Sequence, residues 1–488
     1  MSATMSRLDQ NASMANTDAT TLLPGQKAFI ASIENQVNEL LGSQLDGTFN
    51  VVNRPAGFNY ITQYSQPPVY NEATLRALDG LLTVGTNGVL TLGDEQFSTT
   101  YFKILSAASY QLSASDRKVN DDPNIQAQTT AVINTAQSSG YVAAYSVTPL
   151  TYSAVTKSVI KEFGSSTAQD YTTANISAAA KKLAVAGYQE LGQAISNGIN
   201  QTAPLIAILN KQDQATQELQ AAQTNTQNPS ADNGGLKTGE GKFYVGYQNM
   251  PSPNQVLGGL QSQSKVSIKI QASNFSSTET HFSISGSTGF SIPIGYFFAF
   301  GFGGSASYNM SKYTESSSSL DITMEFPGVT PYAGQPIPLS TDYKEGWYDQ
   351  SLLRSIVKGS GDDQVSGFKI PTDSQFKIPD TFGPGKTFSR LKTFVISQAP
   401  TITMVFKAAN ATAIKQDFQE NASASVSFLG LFSLGSVSES YKVSKVDENS
   451  AAGTVTVTLA PPDINGTVPM NAKVAYVLGG VADYPPHA

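Results

Sequence analysis

The chain has 488 residues, enough for two or three domains with sizeable cores, and carries a net charge of −7 with 14% charged residues. No basic stripe is available to release counterions, which excludes nucleic acid as a partner and broad electrostatic attraction to anionic lipid. There is no cysteine and histidine occurs twice, at His281 and His487, so disulfides, thiol catalysis and thiolate metal sites are excluded.

The first 24 residues read as a flexible N-terminus. They lack a basic start followed by an apolar core, so no secretory signal is visible. No run of 18 apolar residues occurs, and no transmembrane helix is expected. The expectation is a protein soluble before assembly, reaching the exterior or the cell surface by a non-classical route.

Residues 25–222 are predicted to form a mainly helical domain. Phe29, Ile30, Ile33, Val37, Leu40 and Leu41 recur at helical spacing, and Gly42 supplies a stop. Thr83 to Leu92 reads as a hairpin around Asn87-Gly88. From 124 to 222 the chain is rich in Ala and Gln. Ile176, Leu183, Tyr188, Leu191, Ile195 and Ile199 make a stripe suited to packing between helices. Pro204 is expected to kink or restart the helix before Leu205, Ile208 and Leu209 resume the stripe. Residues 223–241 hold few apolar side chains and several breakers, which predicts a linker.

Beyond it the period changes to two. Val266, Ile268 and Ile270 alternate with polar residues, as do Ile402, Met404 and Phe406, then Val455, Val457 and Leu459. The predicted class is α+β: a helical N-terminal half, then an antiparallel β-rich domain over 242–488 with long Ser/Thr-rich amphipathic strands and one solvated face.

Within 264–326 the large apolar residues fall mainly on even numbers, from Phe282, Ile284 and Phe290 to Leu320, Ile322, Met324 and Phe326. Retained parity predicts odd-length loops or bulges where the chain doubles back. The middle, 295–304, is an aromatic, glycine-bearing tip. Residues 420–446 repeat the design: Ala424, Val426 and Phe428 alternate with Ser, the tip follows at 430–435, and parity then flips to Val437, Tyr441 and Val443. The candidate membrane-tip residues are Tyr296, Phe298, Phe300 and Phe302 in the first segment, and Phe428, Leu431, Phe432 and Leu434 in the second.

Ser-rich arms joined by apolar tips resemble the insertion hairpins of β-pore-forming toxins, of the aerolysin and perforin-like types. The perforin-like family carries two such segments per subunit. Its signature is an aromatic-Gly-Ser/Thr-His-aromatic run followed by paired glycines. Thr280-His281-Phe282 with Gly289 is a fragment of it, but Thr278-Glu279 replace the aromatic-Gly pair and Phe290 replaces the second glycine. The resemblance implies a homo-oligomer that inserts amphipathic hairpins into a lipid membrane. Two other readings stay open: a structural protein that self-assembles into a filament or shell, and a carbohydrate- or protein-binding β-module.

No catalysis is expected, and no catalytic, cofactor-binding or metal-binding residue is assigned. Gly383-Pro-Gly-Lys-Thr387 resembles the end of a phosphate loop, but Asp380 stands where that pattern needs glycine, and a strand follows rather than a helix. Gly359 to Asp363 lacks the spacing of a calcium loop and reads as a solvated turn. Trp347-Tyr348 reads as a half-buried aromatic pair at a sheet edge, with an interfacial anchor as the alternative.

Overall fold

The structure is a computed structural model. It describes residues 22–52, 62–63, 69–84, 89–167, 169–273, 279–285, 287, 289–293, 298–302, 305–309, 317–408, 410–420, 423–428, 432–434, 441–461 and 475–487. The fold is α+β, with helices concentrated in the N-terminal half and antiparallel sheets in the C-terminal half. The chain divides into two compact units. The first joins residues 1–100, 228–337 and 379–485; the second joins 101–227, 338–378 and 486–488.

In the first unit, helix α1 (Pro24–Leu41) buries Phe29, Ile30, Ile33, Val37 and Leu41 along one stripe. Leu40 is left exposed, and Gly42 follows directly on the helix. Short helix α2 (Glu72–Leu78) leads into a sheet that begins with β1 (Phe49–Val51), β2 (Gly80–Val84) and β3 (Leu90–Gln96). The Thr83–Leu92 hairpin is present, with Val84 opposite Leu90, while Asn87-Gly88 lies outside the described residues.

The large sheet comprises β4 (Lys265–Ser273), β5 (Glu279–Ile284), β6 (Phe290–Pro293), β7 (Phe298–Phe302), β8 (Ser305–Asn309) and β9 (Ser317–Pro327). It continues, after β10 (Thr330–Ala333) and β11 (Arg390–Gln398) of the smaller sheet, with β12 (Thr401–Ala408). Helix α9 (Ala411–Glu420) comes next, then β13 (Ser423–Phe428), β14 (Phe432–Leu434), β15 (Tyr441–Asn449) and β16 (Thr454–Ala460). The last strand, β17 (Ala475–Asp483), returns to the smaller sheet, whose order is β1-β17-β11-β2-β3 with β10 also on β11.

The order of the large sheet is β6-β5-β4-β9-β12-β16-β15-β13-β7-β8, with β14 also on β13. Its registers follow the predicted parity. Even pairs with even from β4 to β5, β6 and β9, as in Ile270 opposite Ile284 and Ile322. The flip also occurs, with Ala424 opposite Tyr441. One face is therefore continuously apolar: Ile268, Ile270, Ile322, Met404 and Val457 are all buried. Helix α1 packs on β4, β5 and β6, and α9 on β12, β15 and β16, so that this face forms one core with both helices. The approach is close at Gly25, where a Cβ would stand 2.2 Å from the Phe282 ring.

Chain reach adds a constraint. β6 and β7 are separated by residues 294–297, yet eight strand-to-strand steps lie between them in the sheet order. A flat sheet would hold them roughly 38 Å apart at about 4.8 Å per step. Five consecutive Cα steps span at most about 19 Å. The sheet must curl back on itself.

The second unit is helical, with α4 (Pro123–Ser138), α5 (Tyr152–Phe163), α6 (Thr173–Leu183), α7 (Gln189–Gln227) and α8 (Gln350–Gly359). Helix α3 (Phe97–Ala107) begins in the first unit and ends in this one. Side-chain caps set the starts: Asp122, Thr151 and Thr172 accept from free amides in the first turns of α4, α5 and α6. The stripe is core, with Ile176, Leu183, Leu191 and Ile195 buried and Tyr188 and Ile199 packed against them.

Three sequence expectations differ from the fold. Helix α7 runs through Pro204 without restarting, because buried Thr202, Leu205 and Ile206 flank the one missing backbone bond with packing. Residues 223–227, expected in the linker, are its last turn, with Ala222 and Thr226 buried. The division between units falls at 100/101 and 227/228 as well as at 337/338 and 378/379. The N-terminal hundred residues thus belong with the sheets, since α1 supplies the cover that the apolar face needs.

Ile322 sits mid-strand on the buried face, and Thr323 points the other way. Ile322→Ala is expected to lower unfolding free energy by about 2–5 kcal/mol, and Thr323→Ala by no more than about 0.5 kcal/mol. Denaturant titration of the two variants measures the difference.

Candidate functional site

Backbone pairing brings the two tip segments together. Phe298 on β7 lies opposite Phe428 on β13, and Phe428 lies opposite Phe432 on β14. In the next row, Phe300 lies opposite Val426, and Val426 opposite Leu434. Phe302 faces Ala424, beside the register shift at Gly301/Phe302 within the β7–β8 pairing. Tyr296 and Leu431 lie outside the described residues. Two segments far apart in sequence thus form one continuous piece of sheet.

On the polar face, His281 Nδ1 and Ser291 Oγ are 2.7 Å apart. His281 borders a shallow depression of about 410 Å³ also lined by Gln271, Ser273, Ser283, Ser319 and Asp321. That hydrogen bond is the imidazole's one side-chain partner among the described residues, so no carboxylate orients the ring as a Ser-His-Asp arrangement requires. No cluster of three or more His, Asp or Glu side chains suited to a metal occurs among the described residues. No described helix is long and apolar enough to cross a membrane.

Two buried ionisable clusters were not legible in the sequence. In the first unit, Asp79 follows α2 and is fully buried. Its carboxylate accepts from the Ser98 amide and hydroxyl, at the start of α3, and from Tyr247 Oη at 2.6 Å. Burial pushes its pKa up to about 6, against the pull of these hydrogen bonds and of Arg390. The same burial holds the Tyr247 phenol well above its usual value.

The guanidinium of Arg390, on β11, is fully buried. Nη2 donates to the Gly334 carbonyl, and Nη1 stands 3.7 Å from an Asp483 carboxylate oxygen. The rings of Tyr247 and Phe97 lie 5.3 and 5.7 Å from its centre. Among the described residues, Nε and Nη1 have no hydrogen-bond acceptor. Charge pairing and π faces compensate the cation in place of water.

In the second unit, burial first, and then the Asp349 carboxyl, push Glu218 up to about 7. Trp347 and Tyr348, read from sequence as half-buried, are buried beside Tyr101, with Trp347 1% exposed. Gly383 to Thr387 is a turn leading into β11, as expected. None of these clusters announces itself locally, because each joins residues more than a hundred positions apart.

No known protein family, no characterised protein and no solved structure matches this chain.

Asp79 gives a pH dependence of definite sign. Its folded pKa is raised to about 6 from 3.8, so its contribution is full below pH 3.8 and is lost as pH rises through about 6. Asp79→Asn should remove that loss. Denaturation midpoints from pH 4 to pH 7 should fall more in the parent protein than in the variant.

Proposed function

We propose that this chain is a non-enzymatic, membrane-interacting protein of the pore-forming kind, acting outside the producing cell as an oligomer. The observation that carries the reading is the register that aligns Phe298, Phe428 and Phe432 across three strands. It fuses both aromatic, glycine-bearing segments into one place on the sheet. With an acidic chain, attachment to lipid must be apolar. Each fully buried aromatic or leucine side chain contributes about 1.5–3 kcal/mol, so partial insertion of several suffices without basic residues.

The arms behave differently from the tips. The apolar faces of β4, β9, β12 and β16 are occupied by protein core. Contact with lipid in this conformation is confined to the tip segments, and deeper insertion requires α1 and α9 to leave the sheet.

Phe300→Asp combined with Phe432→Asp should abolish dye release from liposomes while circular dichroism and the denaturation midpoint stay unchanged. Undiminished release from the double variant would overturn the assignment of the tips. Unfolding of the variant would mean that the tips are core.

A second reading, self-assembly by strand addition, is favoured by the sheet's edges. Strand β6 ends in Pro293, which blunts it, but β8 (Ser305–Asn309) carries neither Pro nor charge. Light scattering separates the two. Assembly without lipid favours edge pairing, assembly with liposomes favours insertion, and a strict monomer under both conditions removes both readings.

A further inference from the structure

Helices α1 and α9 cover the same apolar face but are held differently. Two residues join α9 to β12 and two more join it to β13, so it is a link in the sheet itself. Lys415 Nζ, 3.3 Å from Glu448 Oε2, fastens it further to β15. Among the described elements, α1 is joined to the sheets only through residues 42–48, ahead of β1. The rest of its hold is packing by Phe29, Ile33 and Val37, all fully buried, and three polar contacts with strands or their ends. The Ser267 amide donates to Gln36 Oε1 at 2.9 Å, Ser32 Oγ stands 3.1 Å from Ser285 Oγ, and the Val51 amide donates to Glu34 Oε1 at 3.4 Å.

Gln36 takes a position that belongs to a strand. β4 begins at Lys265, but β5 pairs with it only from Ile270 on, opposite Ile284. The odd-numbered residues of β4 turn their backbone groups towards β5, and the Lys269 carbonyl accepts from the Ser285 amide at 2.8 Å. Continued by three residues, the register would set Ser287 opposite Ser267. Gln36 stands there instead, and a helix side chain satisfies the amide that a strand would otherwise take. The chain leaves β5 at Ser285, whose φ of 46° is a left-handed conformation uncommon for serine.

We propose that α1 is a releasable strap, the first cover to leave the sheet, and that its departure from β4, β5 and β6 frees the first aromatic segment to meet lipid. Strand β6, on which α1 packs, ends at Pro293, five positions before Phe298. A strap seated on β5 and β6 therefore also fixes the approach to that segment. Release uncovers Val266, Ile268, Ile270, Phe282 and Ile284, so water opposes it and an apolar surface favours it. The lipid step rests on the pore-forming reading; the release of α1 does not.

Ser32→Cys combined with Ser285→Cys tests the strap, since the chain has no other cysteine to compete. Their hydroxyls are near enough for two sulfurs to meet after a small side-chain rotation. In the full-length protein, the oxidised pair should abolish dye release from liposomes, and reductant should restore the parent's rate. Release that persists in the oxidised protein would overturn the strap and leave the pore-forming reading standing. A parent protein that releases no dye would remove that reading, and the strap is then decided without lipid. Native-state amide exchange should show α1 and the Ser267 amide exchanging through one opening that leaves β9 and β12 protected. Gln36→Ala should speed that opening roughly tenfold, by leaving the Ser267 amide without its acceptor. Alanine favours a helix, so the gain would not come from a weakened α1. Exchange of α1 only together with the whole sheet, or an opening rate unmoved by Gln36→Ala, would refute the strap. The same measurement decides should the disulfide not form.

Discussion

Water has to be kept off one apolar face that runs across β4, β9, β12 and β16, and most of the first unit is arranged to do that. Thirteen side chains of the Ile270 and Met404 kind on these strands are too costly to leave wet, at about 1.5–3 kcal/mol each when fully buried. The cover comes from remote parts of the chain. Helix α1 precedes the sheet by more than two hundred residues, and α9 interrupts it between β12 and β13. The curl forced by the short connection from β6 to β7 follows the same demand, because a curled sheet encloses a core that two helices can fill. The opposite face stays polar with little charge, as Ser, Thr and Gln suit a crowded pleated surface without repulsion.

Buried ionisable groups play contrasting parts in the two units. Arg390 is a permanent cation, and its surroundings are fixed to suit it: one carbonyl, one carboxylate, two aromatic faces. Removing any partner would strand a desolvated charge. Asp79 and Glu218 can shed their charge instead, by holding a proton. Each therefore ties local packing to acidity. The difference is chemical: guanidinium does not titrate in water, whereas a carboxyl deprived of water readily does.

Much of the sheet was legible because side-chain direction in a strand has a period of two. Even-numbered Ile268 and Ile322, and odd-numbered Val457, announced their face before any pairing was known, and the flip near Tyr441 was legible too. The stripe from Ile176 to Ile199 was readable for the same reason at a different period. Pro204 misled because a propensity acts locally, while Leu205 and Ile206 are held by tertiary packing. The role of α1 was hidden because its stripe says that it buries a face, not against what. The Asp79–Tyr247 contact joins a helix end to a residue 168 positions later, a separation no local pattern spans. The tip residues were visible as composition; their alignment in adjacent strands came from register.

The first unit is written in three separate stretches of chain, and this sets a timetable for synthesis. Helix α1 ends at Leu41, and its partner β4 begins at Lys265. At about 5–20 residues per second, a ribosome takes roughly 10–45 s to cover that interval. Throughout it, Phe29, Ile33 and Val37 lack the large sheet that they cover. The second unit's first segment, 101–227, emerges during the same interval. Closure of the sheet waits still longer, for β13 and β16. Nascent chains of this protein therefore spend most of their time on the ribosome with an unsatisfied apolar helix at the leading end, a natural target for chaperones that bind exposed amphipathic segments.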